Sequence, residues 1–398
     1  MKTCKTIKLF CVIVALSICL SACLAKPGGT DNTFSDDTVT DSFTPAVDNA
    51  DSSELGKKYN EIQSLIASGE KLIFATETDF ICADVSGGVE ITDYIGAYKS
   101  EYESDYIILV IPEKIGDKSV VSIGKEAFAI VAHLDAVVIP DSVTTIDSLA
   151  FYGCNYLKYV QLGKSVRTIG DYAFSMCPSL FNVDLSTVDG IGLGALIGCQ
   201  SINSITLPFV GGGSEENAFL GYIFGATDVE LNAEFVPDSL RSVILTDRCK
   251  VISDFAFYNC KNIMSVIISD SVESIGVRAF GKCRSIIDIN VGGGVKTIAD
   301  DAFFGCDSLK SIKLGSALES LGMQAFFGCT ALEKIEIPAT LSEIKASTFY
   351  GCAALKEIDL ANIKTIGKDA FGGCDLLTPP DISRVENIAE GNDNLYKH

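Results

Sequence analysis

The chain has no tryptophan, two histidines (His133 and His398) and four methionines among its 398 residues. Each scarcity removes a class of chemistry. Without tryptophan the largest aromatic face on which a sugar could stack is missing. With His398 at the C-terminus, a Ser-His or Cys-His nucleophile pair would have to use His133. That residue falls in the variable part of a repeat and reads as an exposed loop histidine, and zinc lacks its usual ligands. Basic residues are also few: 31 Lys and Arg stand against 52 Asp and Glu, a net charge of −21. This excludes nucleic acid, whose phosphates need clustered cations, and disfavours electrostatic docking on anionic lipid. The glycine runs at Gly211–Gly213 and Gly292–Gly294 fit no phosphate-loop spacing. No catalytic, metal or cofactor site emerges, so the chain is not expected to be an enzyme.

The N-terminus reads as an export signal. Lys2, Lys5 and Lys8 precede the apolar run Leu9–Leu20, which is shorter than the roughly 20 residues of a membrane-spanning helix. It ends in Leu20-Ser21-Ala22-Cys23, a lipobox-like sequence. Residues 1–22 are therefore expected to be a lipoprotein signal peptide, with Cys23 the lipidation site; an ordinary secretory signal with Cys23 incidental is the alternative. Two or more acyl chains suffice for stable anchoring. From Cys23 to about residue 55 the chain is rich in Asp, Ser, Thr and Asn, and too poor in apolar residues to offset chain entropy, so it reads as a disordered acidic tether.

Beyond the tether, a small residue and a large apolar one recur as a pair. The pairs end at Phe128, Phe151, Phe174, Leu196, Phe219, Phe257, Phe280, Phe303, Phe326, Phe349 and Phe371. Every step is 22 or 23 residues except Phe219 to Phe257, which is 38. Such a period is the signature of a leucine-rich-repeat solenoid, here of about eleven coils stacked on one another. Short parallel strands are expected on the concave face, forming one open sheet, with loops or short helical turns on the convex side. Residues 56–111 are expected to cap the first coil, 112–377 to form the solenoid with an insertion at 220–239, and 378–398 to be a C-terminal cap and tail. The insertion carries Tyr222, Phe224 and Phe235, which read best as aromatics tucked onto a neighbouring coil.

One coil illustrates the pattern. In residues 303–325, Leu309, Ile312 and Leu314 point inward, while Ser311 and Lys313 point out. Leu318 and Leu321 return the chain along the far side, and Gly322 lies at a turn where positive φ is expected. Five or six buried apolar chains give roughly 10 kcal/mol gross, less than the cost of ordering 23 residues at about 1–2 kcal/mol each. A single coil cannot stand alone.

Nine cysteines recur three positions after the bulky residue: Cys154, Cys177, Cys199, Cys260, Cys283, Cys306, Cys329, Cys352 and Cys374. In register they stack one strand spacing apart, too far for unstrained disulfides and in a line that cannot converge on a metal. They read as small hydrophobes packed in a column, with Val131 and Tyr222 filling the same slot in the two remaining coils. Cys82 and Cys249 fall outside the column and receive no role.

The remaining candidate is the concave sheet. Its outward positions are Tyr159 and Gln161, Asn182 and Asp184, Ser204 and Thr206, Ser242 and Ile244, and Ser265 and Ile267. They continue through Asp288 and Asn290, Ser311 and Lys313, Lys334 and Glu336, and Glu357 and Asp359. A flat, polar, rigid ladder suits a large partner better than a small substrate, which would want a closed pocket.

The motif Ile-Gly-x-x-Ala-Phe-x-x-Cys-x-x-Leu-x-x-Ile-x-Ile/Leu-Pro-x-x-Val-x-x-Ile resembles the BspA-type leucine-rich repeat of bacterial surface proteins. Ile275-Gly276, Ala279-Phe280 and Cys283 match it, as do Phe151, Cys154 and Leu157, and the resemblance covers about residues 105–377. Leu196 in place of Phe, Thr348 in place of Ala and a first coil without Cys depart from it. The resemblance implies adhesion to host, matrix or other-cell proteins from the outer face of a bacterial membrane. A surface glycan is the alternative partner.

Overall fold

The computed structural model describes residues 53–70, 72–96, 106–213 and 217–396. The signal peptide, Cys23 and the tether to residue 52 lie outside the described residues. From Ala136 onward most coils repeat one pattern: a strand of two to four residues, a turn, a two-residue strand, and a compact turn built around the Ala-Phe pair.

On the long-strand side the strands pair parallel and in register, Val183 beside Ile205, Val243 and then Val266. Their central residues are buried and the flanking ones face out, as alternation requires. The expected single sheet is instead three ladders. One runs from Leu72–Phe74 to Tyr159–Gln161, a second from Asn182–Asp184 to Ser265–Ile267, and a third from Asp288–Asn290 to Lys334–Ile335. The residue before the next strand is Phe181 at the first break and Ile287 at the second.

The return side holds further parallel ladders that the sequence pattern does not reveal, and these too are three. Thr145–Ile146 pairs in register with Thr168–Ile169 in the first, Ser274–Ile275 with Thr297–Ile298 in the second, and Glu343–Ile344 with Thr365–Ile366 in the third. Here Gly322 departs from expectation: its φ is not positive. A Cβ there would lie 2.3 Å from the Ala299 carbonyl carbon, so glycine is required by the closeness of the preceding coil. The left-handed residues lie elsewhere, at Gly305, Gly328 and Gly351 two positions after the phenylalanine, and at Arg278, Asp301 and Gln324 two positions before it.

These turns lock coil to coil. The Phe280 amide donates to the Ala302 carbonyl at 2.8 Å, Phe303 to Ala325 at 2.8 Å, and Phe326 to Thr348 at 2.9 Å. The rings stack in a column: Phe257–Phe280 and Phe280–Phe303 have centroids 5.1 Å apart and planes within 8°. Eight of the nine column cysteines, all but Cys260, have a further task. The thiol donates to the phenylalanine carbonyl of the preceding coil, as in Cys306 to Phe280 at 3.1 Å and Cys329 to Phe303 at 3.2 Å. Packing as a small hydrophobe is therefore only part of the reason for cysteine; a weak donor is used as well.

Three local readings are corrected. Ala218-Phe219 does not occupy the column: Ala218 is half-buried, and the amide that reaches the Ala256 carbonyl (2.9 Å) belongs to Leu220. Tyr222 is likewise only half-buried and does not fill the cysteine slot. Cys249, left without a role, stands three residues before Ile252 as Val272 stands before Ile275, so it is the buried valine position of its coil. The insertion itself is structural. Buried Asn232 accepts from the Gly221 amide at 2.6 Å and donates to the Phe255 carbonyl at 3.2 Å, and Phe224 is fully enclosed.

The ends are closed by different means. Tyr94, from the hairpin of Phe80–Val85 and Gly88–Tyr94, stacks on Phe128 at 5.1 Å. At the other end Asn392 supplies the missing next coil: its Oδ1 accepts from the Phe371 amide at 3.0 Å. A helix, α1 (Glu54–Ser68), starts inside the stretch assigned to the tether. Ser53 caps it by accepting from the Gly56 amide, and Gly69 ends it in the left-handed conformation.

Candidate interaction face

The outward positions of the long strands form two columns, one residue per coil in each. None of the eighteen residues expected there is buried, but they are not equally free. Tyr159 is covered: the Tyr59 ring of α1 meets it edge-on at 5.3 Å and also packs on Phe181 at 5.7 Å. Burial pushes the Tyr59 hydroxyl up to about 12. Asn182 is half-buried, and its Oδ1 accepts from the Ser204 amide at 3.2 Å.

Several polar groups are committed to their own turns. Asp184 accepts from the Ser186 amide, Asn290 from the Gly292 amide, and Asp359 from the Ala361 amide, at 2.9, 3.2 and 2.9 Å. Each is an Asx turn that reverses the chain after its strand. Ser311 bonds to Asp288, and Lys334 pairs with Glu336 at 3.1 Å. Gln161, Lys313 and Glu357 are exposed, while Ser204, Thr206, Ser242, Ile244, Ser265 and Ile267 are half-buried in the middle of the face.

Beside them, missed from the sequence, are Met264 and Ile287, 44% and 39% exposed, each immediately preceding its strand. The inward-outward alternation of a short strand says nothing about the residue before it, so no periodic signal marked them.

His133 is exposed and stacks on the Tyr156 ring at 5.0 Å. Desolvation pushes the thiols of Cys177, Cys283, Cys329 and Cys352 well above their ordinary value, the opposite of an activated nucleophile. Two indentations in the described residues hold about 10 and 20 Å³, against the several hundred of a small-substrate pocket. Among the described residues no group of three or more His, Cys, Asp or Glu could hold a metal, and no helix is long and apolar enough to cross a membrane.

The family model for the BspA-type leucine-rich-repeat region, in six copies, matches residues 112–222, 232–316 and 285–393. The chain belongs to the BspA-type leucine-rich-repeat family. Solved structures similar to this BspA-type chain include a leucine-rich-repeat protein from Bacteroides ovatus, 24% identical, covering 76% of this chain and 92% of its own, with a TM-score of 0.33. Another is a leucine-rich cell-surface protein from Faecalibacterium prausnitzii, 24% identical, covering 82% and 97%, TM-score 0.35. The pneumococcal vaccine antigen PcpA is 19% identical over 80% and 82%, TM-score 0.34. No curated protein sequence matches the chain. Leucine-rich-repeat membership of this kind is consistent with a binding scaffold at a cell surface.

Proposed function

We propose that the protein is a non-enzymatic surface lipoprotein, anchored through Cys23, that binds protein partners of a host, a matrix or another cell on its long-strand face. The observation that carries this is the pair of outward columns. Side chains held at about 4.8 Å intervals by in-register strands make an extended, rigid surface, which suits a macromolecule. Glycan capture is the weaker reading, because Tyr159, the one aromatic expected on the face, is taken up by Tyr59. Binding of the purified protein to a panel of extracellular proteins, run beside a glycan array, separates the two: saccharide-only binding overturns the proposal. Anchoring is tested by lipid labelling in cells. Loss of label and release to the medium in Cys23→Ala support it; unchanged retention at the membrane rejects it.

A further inference from the structure

The long-strand face already holds one ligand, the chain's own α1. Ile62 is fully enclosed in a cluster with Tyr106, Ile108 and Ala136, against which Leu65, Ile66, Leu72 and Tyr159 pack. Ile108, Ala136 and Tyr159 are outward positions of successive strands, so the helix lies on the outside of the sheet. Its direction follows from its ends. Tyr59, in the first turns, touches Tyr159 and Phe181, whereas the last turn leads within a few residues to the strand Leu72–Phe74. That strand and Tyr159–Gln161 are the two edges of one four-stranded ladder, so α1 runs across all its strands.

This arrangement works because two repeats agree. Tyr59, Ile62 and Ile66 are spaced by three and four residues, about 4.5 and 6 Å of helix rise. Strands recur every 4.8 Å or so. A helix laid across the coils therefore presents about one apolar side chain to each strand, and the outward positions beneath α1 are correspondingly apolar.

Further along the face apolar outward residues return after a polar interval at Asn182, Ser204 and Thr206. Ile244 and Ile267 are neighbours in one column, and Met264 and Ile287 are neighbours at the rim. Ser265 lies between the two pairs. At this place the sheet is also interrupted. Met264 donates to the Arg241 carbonyl (2.9 Å) and Lys310 to the Ile287 carbonyl (2.7 Å), but among the described residues no such bond joins Ile287 to Met264. Four apolar side chains, two within the face and two where its strands begin, are bordered by serine, threonine, Asp288 and Asn290, an apolar patch with a polar surround as interfaces have.

We infer that Ile244, Met264, Ile267 and Ile287 form a docking site for an amphipathic helix of a partner protein, laid across the coils as α1 is. The strands from Ser204 to Asp288 span three spacings, about 14 Å, which a helix of about ten residues covers. Its apolar side chains would recur at i, i+3 and i+7, with a small or hydroxyl-bearing surround. The inference rests on the long-strand face being the binding face and adds the partner's secondary structure and the residues that receive it.

The test uses the full chain, immobilised, and a phage-displayed library of single-helix peptides randomised on one face. Selected peptides should carry apolar residues at i, i+3 and i+7. They should lose about tenfold or more in affinity to Ile267→Glu and to Ile287→Glu, both of which should unfold at the midpoint of the unaltered chain. Failure to select any helix overturns the inference, as does selection of helices indifferent to both substitutions. A protein from the extracellular panel that binds the face yet is indifferent to both substitutions also overturns it, while leaving the proposed function standing.

Discussion

Phe303 and Phe304 are adjacent, identical in chemistry, and predicted to differ sharply in what they contribute. Phe303 lies in the column with no exposure, stacked between Phe280 at 5.1 Å and Phe326 at 5.3 Å. Phe304 is half-buried and meets Phe327 in a tilted contact at 5.5 Å. Truncating a buried phenylalanine to alanine costs about 3–5 kcal/mol, the higher values belonging to sites that cannot collapse. The Phe303 site is such a site, since the Phe303–Ala325 and Phe280–Ala302 backbone bonds hold the coils apart on either side. Phe303→Ala should therefore cost about 4–5 kcal/mol and Phe304→Ala about 1 kcal/mol. Phe303→Leu should cost about 1–2 kcal/mol, because Leu196 already fills the equivalent slot in one coil. Urea unfolding followed by far-ultraviolet circular dichroism reads all three. Equal losses for Phe303→Ala and Phe304→Ala, or less than about 1 kcal/mol for Phe303→Ala, would show that the column does not hold the coils together.

Three further outcomes follow from the same geometry. Of the eleven cysteines among the described residues, only half-buried Cys82 should react with a thiol reagent in the native protein, the other ten appearing on unfolding; early reaction of a column cysteine would refute the packed thiol ladder. Tyr59 is raised from 10 to about 12 by burial. Its neutral form favours the docked helix, so the stabilisation is full below pH 10 and is lost as pH rises through 12. Tyr59→Phe should remove that alkaline loss of α1 helicity, and an unchanged profile would contradict the assignment. Asn392 accepts from the Phe371 amide and donates to the Gly367 and Ala389 carbonyls. Asn392→Ala should cost about 2–3 kcal/mol and speed amide exchange in the last coil ahead of the middle ones; uniform exchange would refute its capping role.

The repeat is legible in the sequence because it is a pattern of burial, and Ala-Phe-x-x-Cys at 22 or 23 residues reports the same enclosed slot each time. What is not legible is what depends on neighbours in space. Thr297-Ile298 is β-branched but too short a run to read as a strand, yet the neighbouring coils make it part of a ladder. The thiol bond to a carbonyl one coil back has no local signature. Ala218-Phe219 imitates the motif, and only the insertion's own packing shows that Leu220 has taken its place. On the face, strand alternation gives a side chain's direction but not its availability, which is decided by α1 and by the Asx turns at Asp184, Asn290 and Asp359. Cys249 was within reach: aligning it with Val272 by its distance to the following isoleucine would have placed it.

The most direct test of a binding scaffold that works through one face is to charge each side in turn. Ser265→Arg and Asn290→Arg alter the middle of the long-strand face; Met323→Arg, at an exposed site on the return side, is the control. With a protein partner from the extracellular panel, the first two should weaken binding by about tenfold or more while Met323→Arg leaves it unchanged. Loss confined to Met323→Arg, or equal binding by all three, would contradict the account.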